Sequence, residues 1–155
     1  MVYRHKLISG VEVKELKVIP DERGRLMEIL RSDEAIFKKF GQCYITTAYL
    51  GIIKAWHYHK LQDDNFCCIK GKIKLVLFDA RKSSNTKGDI NEFVLSLDTP
   101  LLVKIPKGVY HGFKAISKEE AMVINIPTKP YNRKHPDEFR VPYDDSKINY
   151  DWRKK

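Results

Sequence analysis

The feature that most constrains this chain is a two-residue hydrophobic period that is broken and restarted many times. Successive side chains on a strand leave opposite faces, so alternation marks a strand with one buried face. Such runs cover residues 43–50, 52–57, 65–69, 73–79, 92–97, 101–105, 112–115 and 121–126. Turn signals separate them, at Lys70-Gly71-Lys72, at residues 83–89 and at Pro106-Lys107-Gly108. Upstream, Val11, Val13, Leu16 and Val18 place a strand over residues 11–19, and residues 25–30 read as another. Between them, Asp21-Glu22-Arg23-Gly24 is a turn, with Asp to cap it and Gly to take a positive φ. Ser32 and Asp33 precede an apolar pair, Ile36 and Phe37, which predicts a short helix there. Many short strands at this spacing predict an all-β jelly roll or sandwich-like barrel with short peripheral helices. After Pro127 the chain is rich in Pro, Asp and Tyr and is expected to cross the barrel as an irregular tail, with residues 1–155 forming one domain.

Size and charge narrow what such a barrel does. At 155 residues the chain is long enough for a substantial core. It is 43% hydrophobic and 32% charged, which argues against disorder. No apolar run approaches the ~20 residues that span a bilayer, and Met1 to Lys6 is followed by no signal-peptide core. A cytoplasmic protein without a membrane partner is expected. Cys43, Cys67 and Cys68 contain no CxxC spacing, and neighbours on a strand point apart, so buried reduced thiols are expected. The net charge of +9 favours an anionic partner. The basic residues are dispersed apart from Arg153-Lys154-Lys155, with no aromatic-interleaved stripe or reader helix, so nucleic acid is not expected. A phosphate-bearing small molecule fits better.

Two segments carry chemistry. One is Gly51-Ile52-Ile53-Lys54-Ala55-Trp56-His57-Tyr58-His59, followed by Asp63, Asp64 and Gly71; the other is Pro106-Lys107-Gly108-Val109-Tyr110-His111-Gly112-Phe113. Two residues apart on a strand, His57 and His59 share a face. If the segments are neighbours, three imidazoles and a carboxylate converge in one barrel mouth. Trp56 reads as a core aromatic, and His5 and His135 as solvated.

These segments resemble the cupin superfamily. Gly51, five residues, His57-x-His59, four residues, Asp64, six residues and Gly71 match its first motif, with Asp in place of Glu. Pro106, Gly108 and His111 match its second. A narrower resemblance covers almost the whole chain and points to the dTDP-4-dehydrorhamnose 3,5-epimerase family. It rests on Ile19-Pro20-Asp21-Glu22-Arg23-Gly24 with Glu28, on Gln42, on His57-Tyr58 and on Phe78-Asp79-Ala80-Arg81-Lys82-Ser83-Ser84 with Gly88. Ile105 to Gly108, His111-Gly112-Phe113, Thr128, Tyr131, Tyr143-Asp144-Asp145 and a terminal strand from Ile148 into Trp152 complete it.

That resemblance implies a homodimeric enzyme without a metal or other cofactor, acting on a nucleotide-linked 4-keto sugar in polysaccharide and deoxysugar synthesis. It implies that Arg23 binds phosphate, often across the dimer, that His57 removes a proton beside the ketone, and that Tyr131 stacks on the nucleobase. A proton α to a ketone is weakly acidic, and a histidine titrating near neutrality suits its removal. The enolate oxygen then needs a preorganised positive charge or donor. The chain departs from the family pattern at the enolate-stabilising lysine, which falls on Asp64, and at the acid tyrosine, which falls on Asn125. The arginine before the base is Lys54, and the histidine-orienting aspartate of a C-terminal extension has no counterpart.

The expected catalytic set is therefore His57, His111 and Asp64, with Asp63 as an alternative to Asp64. The expected substrate-binding set is Arg23, Glu28, Gln42, Lys54, His59, Asn125 and Tyr131. A single epimerisation or a keto-isomerisation fits the altered positions. Two other readings stand beside it: a metal-dependent cupin using His57, His59, Asp64 and His111 for Fe, Mn, Ni or Zn, and a non-catalytic nucleotide-sugar binder.

Overall fold

The computed structural model describes residues 6–153. Twelve strands are present among them: β1 Glu12–Glu15, β2 Val18–Asp21, β3 Gly24–Met27, β4 Tyr44–Ala48, β5 Ile53–Tyr58 and β6 Asp64–Lys70, then β7 Lys72–Phe78, β8 Ile90–Ser96, β9 Leu101–Ile105, β10 Tyr110–Ala115, β11 Ala121–Asn125 and β12 Phe139–Arg140. They form two five-stranded sheets, β1-β9-β6-β11-β4 and β12-β5-β10-β7-β8, with β2-β3 as a separate hairpin. All recorded pairings are antiparallel. The expected all-β jelly roll is the observed architecture, and the strand runs read from residue 43 onward correspond to β4 to β11.

Alternation decides which way each strand faces. On β7, Ile73, Leu75 and Leu77 enter the core between the sheets, beside Phe66, Phe93, Leu95 and Phe113. Val76 points the other way, into a cluster of Trp56, Ile148 and Trp152. This second cluster is the C-terminal segment lying on the outer face of the β5 sheet. The outer face of the opposite sheet is covered by Leu16 and Ile36, which meet Cys67 and Leu102. Cys67 and its neighbour Cys68 thus occupy different cores, as the strand period requires.

Four expectations fail locally. The run 11–19 is two strands: β1 pairs with β9, whereas β2 turns away to pair with β3. No helix exists among the described residues, so the peripheral helices are absent and residues 32–37 form turns. Six residues are too few to offset helix nucleation alone. Instead the Glu34 carboxylate accepts the Arg31 N–H at 3.2 Å and the Lys14 ammonium at 2.5 Å. Ile148 to Trp152 is not a strand either; its buried side chains pack against Trp56, whose ring centre lies 5.0 Å from that of Trp152 with the planes tilted at 53°. Cys43 is exposed, one residue before β4 begins. His5 lies outside the described residues.

Candidate active site

A cavity of about 1020 Å³ opens between the two sheets, walled by β4, β5, β6 and β10 and roofed by the segment from Lys129 to Arg140. Its placement follows from one irregularity. His57 pairs with His111 across β5 and β10, but Phe113 pairs with Lys54, so three steps on β5 oppose two on β10. This bulge turns both Lys54 and His57 into the cavity, although they are an odd number of residues apart. Gly112 makes the bulge possible: a Cβ there would lie 2.2 Å from the Ala55 Cβ.

His57 is half-buried, and its Nδ1 lies 3.3 Å from the Glu138 carboxylate. Glu138 arrives because β12 adds to the edge of β5, pairing Arg140 with His57. Arg140 holds the same carboxylate oxygen at 2.6 Å. Burial lowers the pKa of His57, and the charges of His111 and Arg140 lower it further; Glu138 opposes them without reversing the sign. At neutral pH the ring is therefore uncharged, and Nε2 is the nitrogen left for the cavity.

The other two histidines share one carboxylate. Asp64 is buried on the inward face of β6, with Oδ2 3.1 Å from His59 Nε2 and 3.3 Å from His111 Nε2. Gln62 donates to its Oδ1 at 3.0 Å. Burial alone would raise the Asp64 pKa, but the two imidazoles hold it far below the usual carboxylate range. His59 also donates from Nδ1 to the Asp137 carbonyl. Burial opposes its charge, yet the bond to Asp64 outweighs that and raises its pKa to about 8. The donor atoms of His59, Asp64 and His111 lie within 4.8 Å of one another, a set that could also hold a divalent transition metal. His57 is not part of that set.

The family model for dTDP-4-dehydrorhamnose 3,5-epimerase matches residues 5–155. The chain belongs to the dTDP-4-dehydrorhamnose 3,5-epimerase family. It is accordingly an isomerase of the nucleotide-sugar epimerase class. It is 42% identical to the probable low-salt glycan biosynthesis epimerase Agl13 of Haloferax volcanii, over 94% of each chain. It is 40% identical to the spore coat polysaccharide biosynthesis protein SpsL of Bacillus subtilis, over 94% of this chain and 97% of that one. The crystal structure of a dTDP sugar isomerase from Desulfovibrio desulfuricans G20 superposes with a TM-score of 0.88 at 32% identity, covering 94% of this chain and 92% of that one.

Against this epimerase family, the expected residues divide clearly. Lys54, Gln42 and Tyr131 line the cavity with the three histidines and Asp64. Lys54 donates to Thr46 Oγ1 at 3.0 Å, and Gln42 Oε1 accepts the Tyr131 N–H at 3.2 Å. Asp63 points elsewhere: it binds Lys38 at 2.7 Å and accepts the Lys107 N–H at 3.0 Å, so it ties loops together. Asn125 is fully buried behind Tyr44 rather than on the cavity surface, donating to the Tyr44 hydroxyl at 2.8 Å. Arg23 and Glu28 do not line this cavity. Arg23 projects from the β2-β3 turn, paired with Asp21 at 2.6 Å, and Glu28 binds Arg31 at 2.8 Å.

Glu138 and Tyr44 are among the cavity residues that escaped the sequence reading. Glu138 gave no signal, since its meeting with His57 depends on the tail folding back onto β5. Tyr44 did leave a trace: the alternation over residues 43–50 places it on the same face as Thr46 and Ala48, and that face points inward.

Proposed function

We propose that this chain epimerises a nucleoside-diphosphate 4-keto sugar, with His57 Nε2 removing the proton α to the ketone. One observation carries the reading: an imidazole on a cavity wall whose burial lowers its pKa, with its other nitrogen 3.3 Å from the half-buried Glu138 carboxylate. A base oriented in this way is ready to accept a proton without first losing one. Lys54 lies on the same wall and stabilises the enolate oxygen. His111 and Asp64 form the floor, with His59 carrying the positive charge that balances the buried carboxylate. Gln42 and Tyr131 at the mouth hold the nucleotide.

The substrate's diphosphate accounts for Arg23. The hairpin that carries it is open to solvent and exposes Ile19 and Leu26, and the outer face of β4 exposes Ile45. These fit a homodimer in which each hairpin, Glu28 included, reaches the partner's cavity. The domain is the whole chain, residues 1–155, and the three free cysteines suit the cytoplasm.

Incubation with dTDP-4-keto-6-deoxy-glucose in D₂O tests the chemistry. Deuterium is expected at a carbon flanking the ketone, and its absence from both overturns the reading for that sugar. Glu138→Gln is expected to lower turnover roughly 10²-fold. The wild-type rate should fall on the acid side with an inflection below the ordinary histidine value of about 6.5. Because Glu138 raises the His57 pKa, its loss moves that inflection lower still. An unmoved inflection detaches Glu138 from the base.

The shared site is tested by complementation. Arg23→Ala is expected to raise KM about 10-fold, the worth of one charged hydrogen bond. At low substrate, mixing it with His57→Asn restores one complete site per mixed dimer, about a quarter of wild-type activity. Strictly additive activities would mean that each subunit works alone.

A further inference from the structure

We infer that Tyr44 delivers the second proton of the reaction, on the sugar face opposite His57. The inference rests on the reading of His57 as the base. Inverting a carbon requires a proton to leave one face and arrive on the other, and a single base returns it where it came from. The cavity has two walls. His57 stands on β5 of one sheet, and Tyr44 stands on β4 of the facing sheet.

The hydrogen bonds around Tyr44 determine which way its own proton points. The Asn125 side-chain oxygen accepts the Asn65 backbone N–H at 3.0 Å. Its amide nitrogen must therefore be the atom facing Tyr44, at 2.8 Å. An amide nitrogen only donates, so the phenol oxygen accepts and its O–H remains free for the cavity. Asn125 is thus a positioning residue. Burial, then the charge of Asp64, pushes the phenol pKa up to about 12. It keeps its proton at neutral pH, yet remains acidic enough to protonate an enolate carbon.

The other lining groups are less suited. Asp64 is ionised, and His59 has both nitrogens engaged. Glu138 is paired with Arg140, and Lys54 shares the wall of His57. Tyr131 sits on the roof segment, outside the sheet that faces His57.

The step balances without a redox partner. His57 Nε2 takes the proton, the C–H electron pair becomes the enolate C=C, and the carbonyl π electrons move onto oxygen. The C=C then takes the Tyr44 proton on the far face, and the carbonyl re-forms. Water reprotonates the phenolate, and the imidazolium releases its proton to water.

Tyr44→Phe in D₂O separates the two proton transfers. With the same keto sugar, inversion is expected to fall between about 10²- and 10⁴-fold. Deuterium should still enter at the α carbon with its configuration retained. Inversion at the wild-type rate overturns the inference, as does loss of exchange and inversion together. If wild-type protein itself shows no exchange, it is the assignment of His57 that fails. A second probe leaves the fold untouched: 3-fluorotyrosine at position 44 keeps the hydrogen bonds and acidifies the phenol. The alkaline limb for inversion should then move to lower pH while that for exchange stays in place, and an unmoved limb overturns the inference.

Discussion

His57→Asn protein is expected to retain its fold and lose epimerisation by on the order of 10³- to 10⁴-fold, the upper part of the range for a positioned acid–base group. The side chain is only half-buried, and asparagine can still donate to Glu138, so the wall keeps its shape. What disappears is a nitrogen that can take a proton. Deuterium exchange and inversion should vanish together, because removal of the α proton precedes both. The melting temperature should stay within a few degrees of wild type. Retention of a tenth or more of the wild-type rate would move the base elsewhere in the cavity, with His111 next in line.

The second large effect is on stability. Asp64→Ala removes the anion on which His59, His111 and Gln62 converge. Stranding one side of a buried ion pair costs about 3–5 kcal/mol. For a chain of this size that is a fall in Tm of roughly 10 °C or more. The pH dependence has a defined sign. His59 has its pKa raised to about 8, so its contribution is complete below the unfolded value of about 6.5 and is lost as pH rises through 8. Asp64 has its pKa lowered, so its contribution is present above about 3.9 and fades only in strong acid. The stability gap between wild type and variant should be widest between those limits and narrow towards pH 9. Stoichiometric transition metal in untagged protein, lost on His59→Ala, would reassign the cluster to ion binding.

The strands from β4 to β11 were legible because each has one face in the inter-sheet core, and period 2 records that fact. Where a run changes partner the pattern is silent, which is why residues 11–19 read as one strand. His57, His59, Asp64 and His111 were legible as a group because two short motifs bring them together. Their division was not. Only the register of β5 against β10, and the arrival of β12, show that His57 takes Glu138 while the other two histidines take Asp64. The position where the family resemblance expects a tyrosine holds Asn125, yet Tyr44 is its direct partner on the adjacent strand. A phenol stands one strand sideways of that position, and linear spacing cannot record a lateral neighbour.

The tail that roofs the cavity also covers Trp56, which lies within the bulge and faces away from His57's cavity. Trp56 and Trp152 are the two tryptophans of the chain. Their rings lie 5.0 Å apart, one on β5 and one at the far end of the segment that delivers Glu138. The molecule therefore carries its own optical gauge. Intrinsic fluorescence reports whether the tail is seated, and so whether the histidine beside Trp56 has its carboxylate partner. Catalytic readiness can be followed in the light the protein emits, with no substrate present.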